Sequence, residues 1–90
     1  MDKSVITVVG KDTVGIIAKV CTYLANRKIN ILDISQTIVQ GFFNMMMIVD
    51  TSSMDTDFTT LSDELGSLGD EIGVQIKCQK ETIFDMMHRI

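Results

Sequence analysis

The chain has 90 residues, 46% of them hydrophobic and 22% charged, with a formal net charge of −4. That length makes one domain with a modest core, burying about 60–65% of its unfolded surface. The acidic balance and eight scattered Lys and Arg residues exclude a nucleic-acid partner, which needs clustered cations; no apolar run reaches the roughly 18 residues of a membrane span.

Met1 to Ser4 lead straight into an apolar run, Val5 to Val9, with no secretory signal. A soluble cytoplasmic protein is therefore expected. The run reads as a strand, and Gly10-Lys11-Asp12-Thr13-Val14-Gly15 follows it as a turn. Val14, Ile17, Val20, Cys21 and Leu24 then recur at helical spacing, predicting a helix from about Thr13 to Arg27. Asp12 suits its N-cap, where a carboxylate accepts from first-turn amides. Gly15 would let another group approach the backbone. The open amides and positive end of such a helix attract carboxylates and phosphates.

Lys28-Ile29-Asn30 ends the helix, with Asn30 suited to a left-handed cap. Ile31 to Val39 is rich in β-branched residues and reads as a strand. Gln40-Gly41 is a turn signal, and Phe42 to Asp50 is the second arm of an antiparallel hairpin. Phe58, Leu61, Leu65 and Leu68 mark an amphipathic helix from about Asp55 to Asp70. Gly66 and Gly69 should weaken its last turn by about 1 kcal/mol each. Gly73 breaks to Val74–Gln79, which alternates as a half-buried strand. Ile83, Phe84, Met87 and Ile90 predict a short helix over the tail, 81–90.

The order β-α-β-β-α-β implies an α+β, ferredoxin-like fold: a four-stranded antiparallel sheet in order 4-1-3-2 or a variant of it, two helices on one face, and the short C-terminal helix. Cys21 and Cys78 fall on inward positions and read as buried, reduced thiols.

Several functions of this fold lack their residues here. A soft-metal carrier needs cysteines in the first turn, and this turn has none. Phe42 and Phe43 are adjacent, so they face opposite sides and make no stacking platform for RNA. Met45, Met46 and Met47 diverge for the same reason and hold no metal. One histidine, His88, expected on the surface of the tail helix, and two buried thiols make no nucleophile–base pair. No enzyme, metal or cofactor is expected.

The strand, Gly10 to Ala18, the helix and then Lys28-Ile29-Asn30-Ile31 resemble the ACT domain, the βαββαβ regulatory module of amino-acid metabolism. The resemblance covers residues 4 to about 80, so residues 1–80 are assigned to the domain and 81–90 to a helical extension. The whole chain is most similar to stand-alone single-domain members, which resemble the ACT domains of glycine-cleavage repressors and formyltetrahydrofolate deformylase. The resemblance implies an amino-acid or similar small effector bound between two domains, and a regulated protein acted on in trans. It also implies ligand contacts from Asp12, Thr13, Val14, Gly15 and Ile16 in the turn and helix start, and from Asn30. Asp12 stands where the family often has Asn, and Val14 where it often has Pro.

Asp12 and Asn30 lie at opposite ends of the first helix, about 27 Å apart. A shared site would therefore need two subunits. The strand Phe42–Val49 is apolar at both parities, and one helical layer covers only one of them; the other is left to the terminal helix, which is long enough for part of it, or to a second subunit, and a homodimer is expected. Gln36 and Asn44 are polar residues within the hairpin strands, placed in solvent or at an interface. The alternative function is a structural interaction domain without a ligand.

Overall fold

The computed structural model describes residues 2–11 and 14–82. Six elements follow one another: β1 (Lys3–Lys11), α1 (Ile16–Asn26), β2 (Asn30–Val39), β3 (Phe42–Asp50), α2 (Phe58–Ile72) and β4 (Val74–Lys80). The strands form one antiparallel sheet in the order β2-β3-β1-β4. This is the expected ferredoxin-like arrangement, with β1 inside the sheet and β2 and β4 at its edges.

One face of the sheet carries the core. Ile6 and Val8 of β1 and Met47 and Val49 of β3 are fully buried, together with Val20, Leu24, Leu61 and Leu65 of the helices. Each such side chain contributes about 1.5–3 kcal/mol of burial. The alternate residues of β3 point the other way: Phe42 is 53% and Met46 40% exposed. The Met45–Met47 run thus splits between the faces, as the period of a strand requires. Cys21 and Cys78 are free, half-buried and packed against the core.

Helix α1 starts later than the sequence suggested. Its N-cap is Gly15, left-handed at φ 89°, and no side chain caps it. A glycine accepts that angle without the strain a Cβ would bring. The cap position therefore falls three residues beyond Asp12, which with Thr13 lies outside the described residues. At the other end Lys28 takes the left-handed position at φ 61°. The Lys28 amide donates to Ala25 O, and the Ile29 amide to Leu24 O, the paired bonds of a Schellman stop. Asn30 is not the cap; it is the first residue of β2.

Between β2 and β3, Gln40 (φ 51°) and Gly41 (φ 82°) make the two-residue turn, whose positive angles match the twist of a hairpin. Helix α2 begins at Phe58, after Asp57 accepts from the Thr60 amide at 2.7 Å. It runs on to Ile72, past the expected end, and stops at left-handed Gly73. Its glycines do not shorten it. A Cβ on Gly69 would lie 2.6 Å from Val74 O, so the bare backbone is what lets α2 lie against β4. The helix expected over 81–90, including the position of His88, falls from Ile83 onward outside the described residues.

Candidate functional site

The turn into α1 rests over the hairpin. Lys11 of β1 is paired with Phe42 of β3, and Val39 of β2 is paired with the same Phe42. The chain therefore enters α1 above the turn end of β2 and β3. Between them lies a groove of about 460 Å³, walled by Gly15 to Ala18 on one side and by Gln36, Ile38 and Phe43 on the other. Gln36 and Ile38 share the helix-side face because their register partners, Met45 and Phe43, are on it. Ile38 is 56% exposed and Ile17 37%. An apolar cleft with one amide side chain, of this volume, is what small-ligand sites commonly offer.

Of the residues expected to bind, Gly15 and Ile16 line the groove. Val14 is wholly exposed beside it. Asp12 and Thr13 are outside the described residues. Asn30 is not brought in. It pairs with Asp50, as Lys3 does, so it lies at the opposite end of the sheet from the turn. Asn30 and Val39 are the two ends of the ten-residue strand β2, about 30 Å apart. Pairing with Asp50 also gives Asn30 the parity of the open face. Within one chain Asn30 and Gly15 lie at opposite ends of the sheet.

Gln36 joins the site, while Asn44 lies on the open face beside Thr7, Ser35 and Thr37. Ile38 and Phe43 were missed as site residues. Their signal was present in the hairpin register, but only the position of α1 shows that they face a groove.

The strongest electrostatic feature lies elsewhere. Arg27 after α1 meets Glu64 of α2 at 2.6 Å and Asp55 at 3.4 Å. The Tyr23 hydroxyl donates to Glu64 Oε1 at 2.6 Å. The Arg27 guanidinium, and then Tyr23, hold the Glu64 carboxyl below its usual range. Burial, and then the bond to Glu64, push the Tyr23 hydroxyl up to about 12. All groups are satisfied by one another, and the network ties the two helices together rather than facing the groove. Among the described residues no cluster of His, Cys, Asp and Glu is arranged to hold a metal, and no helix is long and apolar enough to cross a membrane.

The family model of the ACT domain matches residues 3–79. The chain belongs to the ACT domain family. A UPF0237 protein of Bifidobacterium longum is 62% identical to this ACT domain over 90 residues, covering both chains completely. Among solved structures, an ACT domain protein from Streptococcus pneumoniae superposes with a TM-score of 0.82 at 43% identity, covering 92% of this chain and 93% of the other. A glycine cleavage system transcriptional repressor, described as putative, shares the fold of this ACT domain with a TM-score of 0.77 at 24% identity; 88% of this chain matches 45% of that one. The resemblance seen in Gly10 to Ala18 and Lys28 to Ile31 is therefore one of descent as well as of pattern.

Proposed function

We propose that this ACT domain is a regulatory module that binds an amino-acid-like small molecule at the α1–hairpin groove and works in trans as a homodimer. The observation that carries the reading is the groove itself, with apolar walls, the Gln36 amide and the bare backbone of Gly15 at the start of a helix. Exposed first-turn amides attract a carboxylate, Gln36 can donate or accept, and Ile38 and Phe43 supply apolar contact.

The dimer follows from β2. It is an edge strand, and Leu32, Ile34, Ile38 and Val39 are 41–56% exposed. An uncovered apolar edge invites a further strand. Antiparallel pairing of two β2 strands about a two-fold axis would set residue 30 of one beside residue 39 of the other. The Asn30 end of the partner strand then lies beside the end of the hairpin that carries the groove, with the parity of Asn30 on the open face of the joined sheet. The regulated protein, in this reading, is a separate chain that recognises the liganded dimer.

The test combines a thermal-shift panel of the twenty amino acids with light scattering. At least one amino acid should raise the melting temperature, and the mass should be twice the 10.0 kDa of one chain. A 10.0 kDa species at every concentration, with no response to any amino acid, would refute the reading. A dimer without any ligand response would favour a structural interaction domain, which the exposed Phe42 and Met46 also suit.

A further inference from the structure

At the other end of the sheet a second cavity, of about 370 Å³, opens where β1 begins and β4 ends. Ser4 and Lys80 are register partners there. The floor is hydroxylic: Ser4 is 1% and Thr51 7% exposed. Burying hydroxyls is unfavourable unless they have partners, and this floor is held in place by hydrogen bonds. The Thr51 amide donates to Asp2 O at 2.8 Å and its hydroxyl to the same oxygen at 3.2 Å. The Asp2 amide donates to Ser52 Oγ at 2.9 Å, and Ser52 Oγ donates to Asp50 at 2.6 Å.

Met54 and Phe58 form the apolar wall. The Lys80 ammonium stands 5.5 Å from the centre of the Phe58 ring, which fixes a cation at the rim. Asp2 and Glu81 add two carboxylates; Lys3 borders the cavity by its backbone position, but it pairs with Asp50 and so has the parity of the open face. Among the described residues none of the charges of Lys80, Asp2 and Glu81 is in an ion pair. The cavity thus presents both signs of charge around hydroxyls and an apolar wall.

We propose that this cavity is a second ligand site, for a zwitterionic α-amino acid with an apolar side chain. Lys80 receives its carboxylate, Asp2 and Glu81 its ammonium, and Met54 and Phe58 its side chain. The site does not depend on the groove, because β1 and β4 run the length of the sheet between them.

Amide-correlation NMR of the full chain, titrated with L-leucine, tests the assignment. Shifts should centre on Ser4, Thr51, Met54, Phe58 and Lys80. Isocaproate, which lacks the amine, and isoamylamine, which lacks the carboxylate, should each bind at least about tenfold more weakly, since each loses one charge contact. Lys80→Met keeps most of the apolar stem and should weaken leucine at least about tenfold, with an unchanged melting temperature confirming the fold. No shifts with leucine, shifts confined to Gly15–Ala18 and Gln36–Phe43, or equal binding by Lys80→Met would each overturn the proposal. Shifts at the groove alone would support the groove reading and reject this one; shifts at this cavity alone would support this one, and the groove reading then stands or falls on the other nineteen amino acids.

Discussion

The Arg27 guanidinium meets the Glu64 carboxylate through two nitrogens, with Nε 2.9 Å from Oε1 and Nη2 2.6 Å from Oε2. This forked contact joins the end of α1 to the middle of α2, and Tyr23 adds a third donor. Glu64→Gln keeps the shape and removes the charge, so it should lower stability at neutral pH. The pH dependence follows from the sign of the shift. Folding lowers the Glu64 pKa below its ordinary 4.5, so the contribution is complete above that value and lost as pH falls through the folded value. Urea midpoints of parent and variant should therefore differ at neutral pH and converge in strong acid. A constant gap across that range would show that the charge is not responsible.

Tyr23→Phe removes one hydrogen bond to the same carboxylate and leaves the ring. A loss of about 1 kcal/mol is expected, read from urea unfolding. In a double variant with Glu64→Gln the two effects should sum to less than their separate values, because they share one partner.

Two glycines of one helix should respond with opposite signs. Gly66 has open space where a Cβ would go, so Gly66→Ala should stabilise α2 by up to about 1 kcal/mol. At Gly69 the Cβ would meet Val74 O at 2.6 Å and Ile76 Cγ1 at 3.2 Å. Gly69→Ala should cost about 1–3 kcal/mol, because backbone has to move. Thermal melts of the two variants, compared with the parent, decide it; a stabilised Gly69→Ala would mean that α2 shifts off β4 freely.

Val39→Lys places a charge on the exposed β2 edge, where no core contact is lost. Edge lysines oppose strand addition, so light scattering should report a single-chain mass while circular dichroism stays unchanged. A dimer that survives this variant would have its interface elsewhere, and the open face around Phe42 and Met46 would be the surface to probe.

Burial pushes the Cys78 thiol up to about 11, so little of it is thiolate near neutral pH. In a Cys21→Ser variant, leaving one thiol, labelling by an aromatic disulfide reagent should be slow in the folded protein and much faster in urea. Equal rates in both states would place Cys78 in solvent.

Element order and the apolar stripes of the two helices were legible in the residues alone, and the fold that this order implies carried the sheet order with it. Periodicity decides the helix face locally, since the spacing of Phe58, Leu61, Leu65 and Leu68 admits one burial face, whereas Phe42–Val49 is apolar at both parities and leaves its inward face undecided. The sequence also set Asp12 and Asn30 at opposite ends of the first helix, since helix length follows residue count. What only the tertiary structure decided were the places where backbone approaches backbone. Gly69 was read as a weak point in a helix, but a glycine's effect depends on what lies beside it, and β4 lies beside it. The start of α1 shifted to Gly15 because a left-handed glycine, rather than a side-chain cap, sets the entry angle. Ile38 and Phe43 became groove residues only once α1 lay across the hairpin. Ser4, Thr51 and Lys80, far apart in the chain, share a cavity because antiparallel register brings the start of β1, the end of β3 and the end of β4 to one side of the sheet. Such contacts arise from long-range pairing, and no local spacing encodes them.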